Sequence, residues 1–326
     1  MLVLGASGFV GAAAVEAASL AGWQVRGAGH RRPVGCVDAL SVDLADPKSL
    51  RVACRGADVV IHAAGLAHVR RSAERGTDFE AVNVRGTAAV VEAAAAGGVR
   101  RLLIVSSVSV YGDATSLAAA VDETAPCRPT SRYARSKLAA EAVASEAAAS
   151  AGLEVVVVRL ATVYGPGDPG NVARLMRIID QGRFIWIGTG ENRKTLIHVA
   201  DVGRALTAAA ALGGPSGTYN LAASPVSMAC VVGELARALG RSIPTIRVPA
   251  GPALAATRVL GVLGSRGLAI ADTVAKWTME DVYDGSRFQE TFGWRPTVPL
   301  RVGIQSEVAW YRTAAPDLTA GLVAGG

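Results

Sequence analysis

The chain opens on a short apolar run, Leu2-Val3-Leu4, that stops at a glycine, and the same pattern recurs through its first half. Compact β-branched runs alternate with longer alanine-rich stretches whose apolar positions return every three or four residues. The runs predict strands at Leu2–Leu4, Gln24–Gly27, Ala39–Val42, Val59–His62, Arg101–Ser106 and Val155–Leu160. The stretches predict helices at Val10–Ala21, Pro47–Cys54, Asp78–Ala96 and Arg132–Ala151. Such alternation builds a parallel sheet with crossover helices, and two neighbouring halves of it leave a crevice suited to a dinucleotide.

The pattern changes after Tyr164-Gly165-Pro166-Gly167. A Gly/Pro/Asp loop leads to a helix at Asn171–Gln181 and then to a glycine-containing hairpin, Ile185 to Asn192. Residues Leu196–Val199 and Asp201–Ala211 read as a strand and helix rejoining the first domain, and from Tyr219 the elements are short and mixed. The expected fold is therefore α/β: a Rossmann-type doubly wound parallel sheet with a smaller, interleaved C-terminal substrate domain. The sheet domain takes residues 1–165 and 194–222, and the substrate domain takes 166–193 and 223–312. The tail 313–326 is expected to be disordered.

Composition narrows the class. Half of the 326 residues are apolar, aromatics are few, and the formal net charge is +6. The basic clusters at His30-Arg31-Arg32, Arg70-Arg71 and Arg100-Arg101 carry no interleaved aromatics. They suit solvated surface or phosphate contact better than nucleic acid, and no nucleic-acid partner is expected. The four cysteines, Cys36, Cys54, Cys127 and Cys230, show no metal-ligand spacing and fit reduced thiols in a cytoplasmic protein; no metal is expected. The apolar stretch Ile243 to Leu268 contains Arg247, Arg258, Arg266 and three prolines. That argues against stable membrane insertion and leaves a substrate cap, a dimer contact or loose membrane association open.

Gly5, Gly8 and Gly11 form a G-x-x-G-x-x-G turn directly between the first strand and the first helix. Glycine there permits the turn, lets backbone N–H groups approach a pyrophosphate and lets helix and strand pack closely. An acid after the second strand would bind the 2′-hydroxyl of NAD, whereas arginine suits the 2′-phosphate of NADP. This chain has Gly29-His30-Arg31-Arg32 there, so NADP is favoured over NAD, although the two arginines also fit an ordinary surface loop. Asp43 and Leu44 are placed to flank the adenine, and Ala63, Ala64 and Gly65 to pass beneath the dinucleotide.

Downstream, Tyr133 and Lys137 stand four residues apart, on one face of a predicted helix. A phenol is a poor acid or base near neutrality, and an ammonium one turn away favours its phenolate. Lys137 is also placed to hold the cofactor's ribose hydroxyls. Ser107, at the end of an apolar strand, is placed to hydrogen-bond a substrate oxygen while Tyr133 moves its proton. A dinucleotide site beside this trio means redox chemistry at a carbinol.

Together these motifs resemble the extended short-chain dehydrogenase/reductases of the NAD-dependent epimerase/dehydratase family. The resemblance rests on Gly5-x-x-Gly8-x-x-Gly11, His62-Ala63-Ala64-Gly65, Asn83-Val84-Arg85-Gly86-Thr87, Ser106-Ser107-Val108-Ser109-Val110-Tyr111-Gly112 and Tyr133-x-x-x-Lys137. It continues through Arg159 to Pro166, Ile197-His198-Val199-Ala200-Asp201-Val202 and Phe292-Gly293-Trp294-Arg295-Pro296. It implies a nucleotide-sugar substrate, a UDP- or dTDP-hexose, worked on mainly at C4. It also implies cofactor contacts from Ser7, Phe9, Val10 and Asn83, and substrate contacts from Ser109 and Thr162. Asn171, Arg193 and Lys194 sit in segments similar to those of bacterial UDP-N-acetylhexosamine 4-epimerases and 4-ketoreductases, near the substrate diphosphate. Helices Asp78–Ala96 and Arg132–Ala151 resemble those of the family's dimer bundle, which implies a homodimer.

Two departures sharpen the expectation. The family's 4,6-dehydratases carry an Asp-Glu pair just after the catalytic Ser/Thr, where this chain has Val108 and Ser109, so dehydratase activity is not expected. Thr162 stands where many UDP-hexose epimerases have Asn. An epimerase and a ketoreductase both remain open. So do a dehydrogenase for another alcohol, of 3β-hydroxysteroid type, and a non-catalytic NADP-binding protein.

Overall fold

The computed structural model describes residues 1–30, 38–67, 78–112, 120–243, 245–249, 251 and 278–323. Arg31, Arg32, Cys36, Arg70-Arg71 and most of Ile243–Leu268 lie outside the described residues. Two compact units emerge. The first comprises Met1–Thr162, Val199–Ala223 and Tyr283–Pro296, and the second comprises Val163–His198, Ser224–Val282 and Thr297–Gly326. The contacts thus give 283–296 to the first unit and 194–198 to the second, the reverse of the sequence-based division. Phe288 and Phe292 explain the first difference, because they pack on Tyr219 of the sheet unit at 6.2 and 5.0 Å between ring centres.

The first unit is built on strands β1 (Leu2–Leu4), β2 (Arg26–Gly29), β3 (Asp38–Ser41), β4 (Val59–His62), β5 (Arg101–Ser107), β6 (Glu154–Leu160) and β11 (Gly217–Leu221). Their order is β11-β6-β5-β4-β1-β2-β3, and every pairing is parallel. The strand order reverses between β1 and β4, the point at which doubly wound sheets bind ligands beyond their strand ends. On one face, Leu2, Leu4, Val60, Leu102, Ile104 and Val157 pack against helices α2 (Pro47–Cys54), α3 (Gly86–Ala96) and α4 (Arg132–Ala151). On the other, α1 (Phe9–Leu20) packs against α6 (Val199–Ala209) so closely that a Cβ on Gly203 would fall 2.3 Å from the Ala13 carbonyl oxygen.

Three sequence expectations are corrected in this unit. Strand β2 starts two residues later than predicted, because Leu2 of β1 takes Arg26 as its register partner. The predicted helix Asp78–Ala96 begins as a wide π-type turn, Glu80–Arg85, before α3 proper. Arg101 is not a surface cation but fully buried. Its guanidinium donates to the carbonyls of Ala209, Gly214 and Pro215 and pairs with Glu154 at 2.7 Å. It satisfies the last carbonyl of α6, which no helix residue can reach, and two carbonyls of the loop that follows.

In the second unit α5 (Asn171–Asp180) and α7 (Met228–Leu239) pack with the helix Leu300–Val323 around Val172, Met176, Val232, Leu235 and Ile304. The expected hairpin Ile185–Asn192 does not form. Strand β8 (Trp186–Ile187) pairs in parallel with β13 (Arg247–Val248), and β9 (Arg193–Lys194) pairs antiparallel with β12 (Val226–Ser227). Gly188 and Gly190, at φ +77° and +82°, turn the chain between the two pairings. Strand β10 (Leu196–His198) pairs with β7 (Thr162–Tyr164). The last helix, Leu300–Val323, extends past Thr313.

Candidate active site

The glycine turn has the form a dinucleotide phosphate requires. Gly5 adopts φ +83°, and a Cβ there would lie 2.5 Å from the Ala64 nitrogen. A Cβ on Gly11 would lie 2.1 Å from the Gly5 oxygen. These two glycines therefore let strand, turn and helix close on one another. Gly8 is different: its added Cβ would meet only the Gly5 oxygen, at 3.2 Å, and both it and Ser7 are exposed. Gly8 is also the N-cap of α1, and no side chain caps that helix. Uncapped N–H groups of Phe9, Val10 and Gly11 at a helix start form a ready anion site, so the residues present fit a bound dinucleotide.

Ala63 and Ala64 follow β4, and the Ala63 N–H is held by the Leu4 carbonyl at 2.9 Å. The Asn83 side chain ties two neighbouring segments together. Its Oδ1 accepts from the Leu66 N–H at 2.8 Å, and its Nδ2 donates to the Leu66 carbonyl and to Ser136 Oγ. It thus ties Leu66, after Gly65, to Ser136 of α4. A Cβ on Gly65 would lie 3.0 Å from Asn83 Oδ1 and 3.9 Å from Lys137 Nζ, so side-chain-free backbone is what lets these parts converge. Asp43 is exposed and accepts from the Ala45 N–H, while Leu44 packs beneath Gly86.

Ser107, Tyr133 and Lys137 do come together. The Tyr133 hydroxyl lies close enough to Ser107 to interact with it, and Ser107 Oγ accepts from the Ser109 N–H at 3.2 Å. Lys137 Nζ donates to the Val105 carbonyl at 2.6 Å. Burial pushes the Tyr133 phenol above its ordinary value, partly offset by Ser107. The expectation of a phenol lowered by Lys137 is therefore corrected for the protein alone. Desolvation acts on the lysine instead, lowering it to about 8 against the opposing pull of Glu141. The Ser109 hydroxyl is buried without a hydrogen-bond partner. Thr162 opens β7 just beyond the end of β6.

His62, at the end of β4, is buried and close enough to Lys137 to feel its charge. The Thr87 hydroxyl donates to the Asn83 carbonyl, so His62 Nε2–H is the donor to Thr87 Oγ1 at 3.1 Å. Burial and then the Lys137 charge lower His62 to about 3, and it stays neutral.

In the second unit Asn171 is the exposed first residue of α5. Arg193 pairs with Glu280 at 3.1 Å, and Lys194 is buried in the short sheet. The sequence reading missed a cavity of about 490 Å³ lined by Ile187, Thr189, Asn192, Arg247, Val248 and Thr278. The Arg247 guanidinium lies 5.3 Å from the centre of the Trp186 ring and donates to the Thr189 carbonyl. Nothing in the local pattern marks Arg247; only the β8–β13 pairing brings it to Thr189.

Residues 1–222 match the model of the NAD dependent epimerase/dehydratase family. The chain belongs to that family. Its seven-stranded parallel sheet with flanking helices is the Rossmann-type sheet of the extended short-chain dehydrogenase/reductases, and it is an enzyme of that class. A UDP-glucose 4-epimerase of Vibrio cholerae is 28% identical over 313 residues, covering 94% of this chain and 93% of that protein. A dTDP-D-glucose 4,6-dehydratase of Mus musculus is 32% identical over 260 residues, covering 78% and 68%. Among solved structures, that of MoeE5 in complex with UDP-glucose and NAD superposes with a TM-score of 0.76 at 29% identity, covering 96% of this chain and 99% of that one. Among the described residues no group of three or more His, Cys, Asp or Glu side chains could hold a metal, and no helix is long and apolar enough to cross a membrane.

Proposed function

We propose that this family member transfers hydride at C4 of a nucleotide-linked hexose, as a 4-epimerase or a 4-ketoreductase, with Tyr133 as acid and base. The observation that carries the reading is the convergence of Tyr133, Ser107 and Lys137 in the unit that holds the glycine turn. A nicotinamide dinucleotide held at the glycine turn would supply or accept the hydride. Ser107 orients the substrate oxygen, and Tyr133 gives that oxygen a proton on reduction or removes one on oxidation. A phenol kept above its ordinary value rests protonated, which suits donation to a keto oxygen. One Lys137 donor goes to Val105, and the remaining two are assigned to the ribose hydroxyls of the cofactor.

Val108 and Ser109 offer no acid–base pair for removing water across C5 and C6, which argues against dehydratase chemistry although a dehydratase is among the relatives. NADP is the proposed cofactor, from Arg31 and Arg32 and from the lack of an acid after β2. The same arginines favour the ketoreductase, because a reductase must capture fresh reduced cofactor in each cycle. Asn171, Arg193 and Lys194 are assigned to the substrate diphosphate; Arg193 would exchange Glu280 for it. A homodimer, and a cytoplasmic setting consistent with the free thiols Cys54, Cys127 and Cys230, complete the proposal.

The test offers UDP-glucose, UDP-N-acetylglucosamine and dTDP-glucose to the purified protein, and their 4-keto forms with NADPH or NADH. Interconversion of C4 epimers without net cofactor use identifies the epimerase; stoichiometric oxidation of NADPH identifies the ketoreductase. Failure of every sugar in both assays refutes the reading.

A further inference from the structure

One helix face reaches three consecutive strand residues. On α4, Tyr133, Lys137 and Glu141 follow at four-residue spacing, so they share one side of the helix. Tyr133 meets Ser107, Lys137 meets the Val105 carbonyl, and between them the Ser106 hydroxyl donates to Glu141 Oε1. Glu141 is held from the neighbouring strand. Arg159 of β6 brings Nε to 3.1 and 3.2 Å from the two carboxylate oxygens and Nη2 to 2.7 Å.

The arrangement extends across the sheet. Ser106 is the register partner of Arg159, and Arg159 is the register partner of Asn220 on β11. Arg159 Nη1 donates to the Tyr111 hydroxyl at 2.8 Å, and that hydroxyl donates to Asn220 Oδ1 at 2.8 Å. All of these side chains are buried, with Glu141 and Arg159 at 5% and 7% exposure. A buried ion pair is weak evidence for stability, since apolar residues of similar volume do as well; its better-attested use is to fix a register. Here the register it fixes carries the reacting hydroxyl and ammonium.

We propose that Glu141, held by Arg159 and Ser106, is a positioning residue that locks the end of β5 against α4, so that Ser107 faces Tyr133 and Lys137 stays charged at Val105. The proposal rests on the reading of Tyr133 as acid and base. The charge side of it has a plain physical basis. Glu141 is the charged group that opposes the desolvation of Lys137. The other titratable groups facing the lysine are His62 of β4, which is neutral, and Tyr133, which rests protonated. Arg159, beyond Glu141, is neutralised by it.

The test compares the parent with Glu141→Gln/Arg159→Gln, which removes both charges together, and with Ser106→Ala, which leaves both in place. Turnover of whichever UDP-sugar the protein accepts is followed against pH. The Lys137 side chain is titrated by NMR with ¹³Cε-labelled lysine, practicable because the chain has only four lysines. In the double variant the Lys137 titration and the alkaline limb of kcat are expected to move together to lower pH, with kcat near neutrality reduced about tenfold or more. In Ser106→Ala kcat is expected to fall several-fold with an unchanged thermal transition. If the double variant does not fold, Ser106→Ala decides alone. Folded variants with the parent's Lys137 titration and kcat–pH curve would overturn the proposal. Tyr133→Phe separates the two ideas: if it is inactive while those variants match the parent, only the role of Glu141 falls; if it retains full turnover, the acid–base reading falls first.

Discussion

The carboxyl group of Glu307 should make this protein less stable as pH rises through neutrality, and removing its charge should reverse that. Glu307 lies on the C-terminal helix with no exposed surface, and neither carboxylate oxygen has a well-formed hydrogen bond. Nearby, Asp168 is well served: its oxygens accept from the Gly170 and Ala173 N–H groups at the start of α5. Burial first, and the Asp168 charge second, raise Glu307 from 4.5 to about 8, with the Gly165 amide only partly offsetting them. In the unfolded chain the group titrates near its ordinary value. Its contribution to stability is thus fully present below about pH 4.5 and is lost progressively as pH rises to about 8.

Each pH unit in that window costs about 1.4 kcal/mol, so the loss is roughly 3 kcal/mol by pH 7 and approaches 5 by pH 8. Glu307→Gln keeps the shape and a neutral polar head. It is expected to match the parent near pH 4.5 and to exceed it by roughly 3 kcal/mol at pH 7. Urea unfolding of both proteins at pH 5, 6.5 and 8, followed by tryptophan fluorescence, measures the difference. Parallel stability curves for the two proteins would show that Glu307 is already ionised in the fold, and the reasoning would be wrong.

The glycine turn gives a paired prediction. Gly11→Ala drives a Cβ onto the Gly5 oxygen and is expected to cost a few kcal/mol of stability, about 1–3 by the usual scale of overpacking, along with cofactor binding. Gly8→Ala would meet only the Gly5 oxygen, at 3.2 Å, so it should cost far less stability than Gly11→Ala while losing dinucleotide affinity; thermal scans with and without NADPH distinguish the two. Tyr133→Phe should bind nucleotide nearly as the parent does and lose roughly 10²–10⁴ in turnover, with undiminished turnover counting against its acid–base role. Arg31→Ala/Arg32→Ala should weaken NADPH far more than NADH in equilibrium titration, and equal losses would refute a 2′-phosphate contact. Sedimentation at micromolar concentration should show a dimer, and a monomer would remove the proposed assembly.

Period and punctuation carried much of this protein into its sequence. A strand of three apolar residues running into Gly5-x-x-Gly8-x-x-Gly11 is a local statement about backbone geometry, and local geometry is what a sequence encodes most directly. The same holds for Pro47–Cys54, capped by Asp46, and for Arg132–Ala151, whose four-residue spacing alone puts Tyr133 and Lys137 on one face. The roles of charged groups were legible far less well, because a charge takes its meaning from what surrounds it. Arg101 reads as a surface cation beside Arg100, yet only the fold brings the carbonyls of Ala209 and Gly214 to it. The partners of the Asn83 amide, Leu66 and Ser136, likewise come together only in the fold. Tyr133 and Lys137 could be paired from spacing, but their protonation depends on desolvation, which no spacing reports. Glu141 was one more helical turn along that face, and nothing local distinguishes it from a solvated glutamate. Strand register decided it, by setting Arg159 beside Ser106 and both against the same carboxylate.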